Sequence, residues 1–389
     1  MARPASLILR RVLLATLAVL LAMAVGRTYI GDVYPVQSTS MEPTLHASPE
    51  RVFVRYERGF TPRRFDLVVF SAPAPDSGAV VKRAAGLPGE SVLLSGGDLL
   101  IEGRRLGVEV PRPMPVVIFD SRIEPLEGNF SAPTTPMEPA PNGWGLDARG
   151  RREDLAYTRR ARDDRYTSDG IHVPGRHEVN DLGIEGRFVF KGSGKFSLRL
   201  SEEGDAFELE LDLRDGVVLA ARLQRRSGMA ELAVLASVDR PGQARAGEPC
   251  SVRLENVDNI LIAEVAGQIL HASYETNTPL MGVVDEDHRH LQPRVHLAVA
   301  EIELGIERLL VVRDFYYTVQ GPIGTGSPVS LGPDEIFALG DNSADSRDSR
   351  EFGPIRLVEL AGRATRVLWP FSAARHLGGL RSLLSVAEQ

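Results

Sequence analysis

The sequence contains very little cysteine: Cys250 is the only one in 389 residues. One thiol cannot form a disulfide within the chain, and it cannot supply the paired ligands of a cysteine-based metal site. Stability must therefore come from buried apolar cores. A chain of this length is long enough to form two or three of them.

The chain also lacks an excess of basic residues. Lys and Arg number 45 against 52 Asp and Glu, which gives a formal net charge of −7 and an isoelectric point near 5.7. A protein that binds nucleic acid through its phosphates normally presents a basic surface. We therefore expect no nucleic-acid partner.

Long apolar runs are scarce, and the one that is present lies near the N-terminus. Val12–Val25 carries no charge, and Arg3, Arg10 and Arg11 precede it. Basic residues before a span keep the N-terminus in the cytoplasm. The run is shorter than the roughly 20 residues that a spanning helix normally needs, but apolar neighbours could extend it. We expect residues 1–30 to form a cytoplasmic tip and a single membrane anchor.

A cleaved signal peptide is the alternative for this segment. Ala22-Met23-Ala24 has the spacing of small residues found at signal-peptide cleavage sites. Both interpretations export the rest of the chain.

Alternating apolar and polar residues recur beyond residue 50 and are typical of half-buried strands. They divide the chain into a β-rich block at 31–110, a Pro- and charge-rich connecting segment with little core at 111–180, a many-stranded block at 181–313, a second β-rich block at 314–375 and a tail at 376–389. We predict a mostly β fold in which one domain, formed by 31–110 and 314–375, is split by a β-sandwich insertion. Residues far apart in sequence should then meet in the split domain.

The stretch QSTSMEPTLHA places Ser38, Thr39 and Ser40 shortly after the apolar run. A serine nucleophile needs a general base within hydrogen-bond distance. The histidines are poor candidates: His46 has no recognisable context. His288, His290 and His296 share a charged stretch that is either a solvated loop, which we favour, or a metal site.

Lys82 in AVVKRAAGLPG is the better candidate base. Burial disfavours the ammonium form and lowers a lysine pKa from about 10.4. On a strand, Lys82 shares a face with Val80 and Ala84, and Arg83 points the other way, into water. An ordinary surface lysine is the alternative.

A third stretch, GDNSADSRDSREFG at residues 340–353, concentrates Asp, Asn and Ser between an apolar run and a Gly-Pro pair. This composition predicts a structured turn. Asp348 and Arg350 are spaced to pair, and several hydroxyls could bond a buried amine. A flexible polar loop is the alternative.

STSMEPTL, VVKRAAGLPGE and GDNSADSRDSREFG, in this order after an N-terminal anchor, resemble bacterial type I signal peptidases. These are membrane-bound serine endopeptidases with a Ser/Lys dyad and a signal-peptidase-type β catalytic domain. The resemblance covers roughly residues 1–105 and 310–375. The remainder has no counterpart in the motifs.

The resemblance implies a role for each matching residue. Ser40 is the nucleophile, Lys82 the general base, Ser38 the hydroxyl that joins the Ser40 N–H in the oxyanion hole, and Ser346 the serine that orients the lysine. Asp341, Asp348 and Arg350 match structural residues of the last motif, and Val36, Leu45 and Val81 match positions that line pockets for small side chains. No metal and no cofactor are implied.

The chain departs from the family pattern at four positions near these motifs: Gln37 where Pro is common, Thr39 where Gly is frequent, Phe65 for the usual Gly and Glu90 for the usual Asp. None supplies a group for proton transfer. The large departure is the insertion.

The family also implies substrates and a location. Secretory precursors would be cut after an Ala-x-Ala sequence, by an enzyme that crosses the bacterial cytoplasmic membrane once, with its N-terminus inside and its catalytic domain on the outer, periplasmic side. The lipid bilayer is then a partner. A retained anchor is favoured because it keeps the enzyme near membrane-held substrates.

The insertion looks like a concanavalin-like jelly roll. It is either a bulky accessory domain or a module that binds envelope glycan or protein, and fold alone does not decide. One competing function is therefore an envelope-binding protein on a retired protease scaffold, although Ser40, Lys82 and Ser346 are intact. A self-cleaving regulatory protease fits less well, because such proteins carry a DNA-binding domain and lack an anchor.

Overall fold

The computed structural model describes residues 10–21, 30–57, 59–71, 73, 78–140, 142–166, 172–202, 204–228, 230–242, 245–275, 294–378 and 380–381. The predictions for the cytoplasmic tip before residue 10, for Ala22-Met23-Ala24, for His288 and His290 and for the tail beyond 381 lie outside these ranges. Within them the fold is mostly β, as predicted.

Residues 10–21 form a first helix, α1, whose apolar side chains are exposed. No helix in the described part of the chain is long and apolar enough to span a membrane. The predicted anchor continues into residues 22–25, which fall outside the described ranges.

The strands fall into three groups along the chain. The first block holds β1 Gly31–Pro35, β2 Arg51–Tyr56, β3 Leu67–Ser71, β4 Ala79–Gly86, β5 Ser91–Ser95 and β6 Asp98–Ile101. The middle holds β7 Arg112–Pro113, β8 Val116–Asp120, β9 Glu138–Ala140, β10 Gly143–Asp147, β11 Arg152–Ala156, β12 Arg165–Tyr166, β13 His172–Val173, β14 Leu182–Glu202, β15 Asp205–Arg214, β16 Val217–Ser227, β17 Ala233–Asp239, β18 Cys250–Val257, β19 Ile260–Val265, β20 Gln268–Ser273 and β21 Val295–Arg313. The last holds β22 Val329–Ser330, β23 Glu335–Leu339, β24 Ile355–Arg356, β25 Leu360–Trp369, β26 Arg375–His376 and β27 Leu380–Arg381, with a short helix α2 at Ser349–Phe352. Turns of 3-10 helix occur at Thr39–Met41, Ser343–Asp345, Leu357–Glu359 and Phe371–Ala373.

Strands from both ends of the chain form one sheet, in the order β1-β2-β25-β3-β4-β23-β24, with β26 on β25. The alternation in RVFVRY turns Val52 and Val54 of β2 into the core, opposite Val367 and Ala364 of β25. The predicted splitting of one domain by an insertion is therefore confirmed.

The insertion is built on two long antiparallel strands, β14 and β21, which pair along most of their length. The C-terminal part of β14 continues into β15, β16 and β17, whereas its N-terminal part pairs with β18, followed by β19 and β20. The two halves share one core, in which Leu209 and Leu211 of β15 join Leu254 of β18 and Ala263 of β19. The β-rich insertion is thus present, and its description as a β-sandwich stays a prediction.

Segment 111–180 differs from the prediction that it has little core of its own. Its strands β8, β10 and β11 all pair with β21, and Phe119, Phe130 and Tyr157 pack together in the core of the insertion. The segment therefore belongs to the insertion. The segment is rich in proline and charged residues, so its strands are not evident from local composition. The strand with which β11 pairs lies about 150 residues further along the chain.

The insertion meets the split domain through a group of carboxylates. The hairpin β5–β6 turns at Gly96 and Gly97, both at positive φ, and so brings Asp98 to the junction. Carboxylate oxygens of Asp98, Asp181 and Asp258 all lie within 4.8 Å of one another. Arg105 donates to Asp98 at 2.6 Å.

Crowding and burial raise the pKa of these acids. Burial, followed by the Asp258 charge, raises the pKa of Asp98 to about 7 and that of Asp314 to about 6. Burial, followed by Asp98, raises the pKa of Asp181 well above its ordinary value. The folded protein therefore holds protons here that the unfolded chain, with an Asp pKa of about 3.9, releases.

This excess of bound protons predicts how stability varies with pH. Because the folded state binds more protons between about pH 4 and 7, the free energy of unfolding should fall as pH rises through that window. Asp181→Asn removes a carboxyl group whose ionisation is opposed by burial and by Asp98, and it should raise the melting temperature at pH 7.5 by about 2–4 °C, with a smaller gain at pH 5. Differential scanning calorimetry on detergent-solubilised protein measures both. Asp239→Asn, at an exposed strand end, is the control, and an equal gain in the control would contradict the account.

Candidate active site

Ser40 lies in the 3-10 turn Thr39–Met41, within the loop that connects β1 to β2. Ser38 caps this turn: its Oγ accepts a hydrogen bond from the Ser40 N–H at 3.1 Å. The Ser40 side chain is buried, and Met41 beside it anchors the turn in the core of the split domain.

Lys82 on β4 faces Ser40. Its Nζ lies 2.5 Å from Ser40 Oγ, and the residue is only 3% exposed. Burial lowers the pKa of Lys82 to about 8; Asp348 and Asp341 oppose this shift, and Arg350 adds to it. A neutral amine is therefore accessible near neutral pH, in contact with the serine that the resemblance implies as the nucleophile.

The expectation that Arg83 points into water is wrong. Arg83 is buried, and its guanidinium donates to both carboxylate oxygens of Asp341, at 2.7 and 2.5 Å. Its NH1 also donates to the Phe65 backbone oxygen at 2.8 Å. The strand alternates as expected, but its opposite face packs against the second half of the domain. The sequence signal for the burial of Arg83 is Asp341, whose carboxylate requires a cationic partner when it is buried.

Asp348 and Arg350 form the predicted pair at the start of α2. Nε and NH2 of Arg350 donate to the two oxygens of Asp348 at 2.8 and 2.7 Å, and both residues are fully buried. The remaining donors of Arg350 reach Thr318 and Ser343. Asp348 also accepts from the Gly340 N–H at 2.9 Å. The motif is thus a structured turn, and not a flexible loop.

Asn342 joins this motif to the turn Thr39–Met41 that carries Ser40, a contact that the sequence did not reveal. Its backbone N–H donates to the Ser40 carbonyl at 3.0 Å, and its side chain donates to the Thr39 carbonyl at 3.1 Å. The Thr39 hydroxyl in turn donates to Asp345 at 2.8 Å. The Thr39 departure from the family pattern therefore adds a second link between the two turns.

The predicted contact between Ser346 and Lys82 is not formed in the described structure, where Ser346 Oγ is buried without a hydrogen-bond partner. Ser346 ends the 3-10 turn Ser343–Asp345 and packs against Gly340. Both Ser346 and Lys82 nevertheless line one groove.

That groove has a volume of about 570 Å³ and also contains Ser38 and Ser40. The three predicted pocket residues, Val36, Leu45 and Val81, all line it. Beyond Ser40, polar groups of Asp345, Arg347 and Glu351 border it. The structure thus brings the nucleophile candidate, the base candidate and the apolar pocket positions together.

Two other departures have local explanations. Phe65 has a φ of +67°, a conformation that favours glycine, but its ring is buried in the core beside Leu99 and Phe337. Glu90 accepts from Arg64 and, at 2.7 Å, from the Leu87 N–H, and so closes the turn after β4.

Comparisons with known proteins agree with this geometry. The family described as signal peptidase, peptidase S26, matches residues 9–125 and 313–369. Signal peptidase I of Leptolyngbya laminosa is 35% identical over 99 residues, which cover 23% of this chain and 48% of that protein. Signal peptidase I V of Bacillus subtilis (strain 168) is 33% identical over 120 residues, which cover 31% of this chain and 68% of that protein.

The matched residues include most of both blocks of the split domain, with Ser40, Lys82 and the last motif, and they continue through β8 at the start of the insertion. A serine peptidase is the class of protein that these matches define. The chain belongs to the signal peptidase family, peptidase S26. It spans about half to two thirds of the length of the curated relatives it matches.

Most of the insertion lies outside the family match, which stops at residue 125 and resumes at residue 313. The CBM2 module of Lactobacillus casei BL23 phage J-1 evolved Dit is similar to this chain with 9% identity and a TM-score of 0.34, over 53% of this chain and 100% of that one. A score of that size supports no argument about the function of the insertion.

Gly340 offers a test of how closely the two turns pack. A methyl group on Gly340 would lie 2.0 Å from Ser346 Oγ and 2.6 Å from the Ser40 carbonyl oxygen, so Gly340→Ala must displace one of them. We expect peptidase activity to fall at least about tenfold, since small displacements of reacting groups are costly. Gly326→Ala, whose added methyl meets nothing within 4 Å, should keep activity. Full activity of Gly340→Ala would contradict the packing described.

Proposed function

We propose that this protein is a type I signal peptidase that removes signal peptides from exported precursors at Ala-x-Ala sites, through a Ser40/Lys82 dyad. The observation that carries the proposal is the 2.5 Å contact between Lys82 Nζ and Ser40 Oγ in a buried position. A general base must be neutral and within hydrogen-bond distance of the proton that it removes. Lys82, with a pKa of about 8, meets both conditions.

The proposed reaction uses only groups of this chain and water. Neutral Lys82 takes the Ser40 proton as Oγ attacks the carbonyl carbon of the scissile peptide. The tetrahedral intermediate collapses when Lys82 returns that proton to the leaving amine, which leaves an acyl-enzyme on Ser40. Lys82 then deprotonates a water molecule that hydrolyses the ester.

Ser38 and the Ser40 N–H are the proposed oxyanion donors. They are hydrogen-bonded to each other at 3.1 Å, so the Ser38 hydroxyl must rotate away from the Ser40 N–H before both can point at an oxyanion. Removal of one such donor from a serine peptidase typically slows catalysis about 10²- to 10³-fold.

The edge of β4 is the proposed docking site for the substrate backbone. Among the described strands, residues Ala79–Lys82 pair with β3 on one side only, because β23 joins β4 from Arg83 onward. An extended peptide can add to such an open edge. Its alternate side chains would then reach Val36, Leu45 and Val81 in the groove, which suits small residues such as alanine.

A single N-terminal anchor in the bacterial cytoplasmic membrane is part of the proposal, with the catalytic domain on the outer side. The basic residues before the apolar run support this orientation. Trp369 and Phe371 add support, because they are 45% and 80% exposed and their ring centroids lie 5.1 Å apart. Aromatic residues of this kind are enriched at the membrane–water interface.

The alternative function, envelope binding on a retired scaffold, has less support because the Ser40–Lys82 contact is intact. That the insertion binds a glycan or protein ligand stays a prediction. That it is a jelly roll also stays a prediction. Glycan binding without proteolysis would favour the alternative.

Single substitutions in the dyad test the proposed function. Ser40→Ala and Lys82→Ala should each abolish cleavage of a precursor that carries an Ala-x-Ala site, because one lacks the nucleophile and the other the base. The product N-terminus, identified by mass spectrometry, reports the cleaved bond. Lys191→Ala, which removes an exposed lysine of the insertion, should cleave at the wild-type rate. Cleavage by Ser40→Ala would rule out this mechanism.

The pKa of Lys82 predicts a specific pH profile. Only the neutral amine is active, so kcat/KM should rise roughly tenfold between pH 7 and 9, with a midpoint near 8. Initial rates on a short peptide substrate in detergent measure this. A rate that is flat or falls over the same interval would be inconsistent with a lysine base.

A further inference from the structure

The loop that carries Ser38 and Ser40 is closed at its neck by Glu50. The Val36 N–H donates to the Glu50 carbonyl at 3.0 Å, and the Ser48 N–H donates to the Val36 carbonyl at 3.0 Å. The Glu50 carboxylate points into the loop, where Oε2 accepts from the His46 N–H at 3.0 Å. One residue thus holds the loop through both its backbone and its side chain.

Arg375 on β26 completes this arrangement from the far end of the chain. Its NH1 and NH2 donate to the two oxygens of Glu50 at 2.7 and 3.0 Å. The same NH2 donates to the Thr44 carbonyl at 2.8 Å. Arg375 lies beyond residue 369, where the match to the peptidase family ends.

Thr44 is the point where this brace meets the catalytic network. Its carbonyl is held by Arg375, while its hydroxyl donates to Asp341, the partner of Arg83. Arg83 directly follows Lys82 in β4. The nucleophile loop is therefore fixed on one side to the strand of the base and on the other side to β26.

We infer that Glu50 and Arg375 are positioning residues that set the distance between Ser40 and Lys82 by bracing loop 37–49. The inference rests on the proposed peptidase function. Neither side chain contacts the reacting atoms; they act through Thr44 and His46. Planar, bidentate pairs such as this one provide geometric specificity as well as energy.

The test compares Arg375→Ala with a matched pair elsewhere. Arg308 and Asp120 in the insertion also form a bidentate contact, through Nε and NH2 of the arginine. Their side chains are 38% and 9% exposed, against 36% and 3% for Arg375 and Glu50. Both variants lose one surface-reaching guanidinium over a buried carboxylate. We expect Arg375→Ala to lower kcat on a peptide substrate about 10- to 100-fold with little change in KM, and Arg308→Ala to keep the wild-type kcat.

Arg375→Lys separates positioning from folding. A lysine can bond Glu50 but cannot bond both of its oxygens and Thr44 with a planar fork, so its kcat should fall between wild type and Arg375→Ala. Equal losses of kcat in Arg375→Ala and Arg308→Ala, or a kcat of Arg375→Ala within twofold of wild type, would overturn the inference.

Hydrogen exchange gives a readout that does not depend on activity. Amide protons of residues 37–49 should exchange faster in Arg375→Ala than in wild type. Their exchange rates should be unchanged in Arg308→Ala. If the wild-type protein cleaves no precursor, the proposed function fails while the exchange result still tests the brace. Unchanged exchange in Arg375→Ala would overturn the brace even if the protein is a peptidase.

Discussion

The buried ion pair between Arg83 and Asp341 is the interaction on which the rest of the site depends. It joins residues 258 positions apart, and so connects the two parts of a domain that the insertion separates. Loss of one partner from a buried pair typically costs about 3–5 kcal/mol, because the other charge remains unpaired. Lys82 and Gly340, the neighbours of this pair in sequence, are thereby both placed next to Ser40.

The charges around Lys82 explain why the pKa of this buried amine suits the proposed role of a base. Asp341 and Asp348 each neutralise an arginine, so their carboxylates only partly offset the burial of Lys82. The result is a pKa of about 8, low enough for a neutral fraction near physiological pH and high enough for proton transfer. An unpaired carboxylate at either position would hold the lysine in its charged form.

The insertion leaves this arrangement intact because its two ends lie together. Val116 at the start of β8 pairs with Arg313 at the end of β21, so a large domain is attached at one short junction. Long insertions at such positions carry a modest entropic cost. The crowded carboxylates at the junction take no part in the proposed reaction. They make the stability of the folded protein depend on pH.

Sequence patterns were sufficient for some features and insufficient for others. Alternation predicted strands in the two β-rich blocks and in the block at 181–313, because this signal is local. The motif spacing predicted the meeting of Ser40 and Lys82, since the resemblance supplied the long-range information. The burial of Arg83, the strands within 111–180 and the brace by Arg375 depend on partners more than a hundred residues away, and composition does not encode these. The expected Ser346–Lys82 contact depends on a side-chain orientation, which sequence does not fix.

The central claim is that Lys82 is neutral enough near pH 8 to take the Ser40 proton, and nuclear magnetic resonance of the lysine side chains tests it most directly. The chain has only three lysines, Lys82, Lys191 and Lys195, so ¹³C labels at Cε give a spectrum simple enough to assign with Lys82→Met. The account predicts a Lys82 titration midpoint of about 8 in the folded protein. A midpoint at the ordinary lysine value of about 10.4 would contradict it.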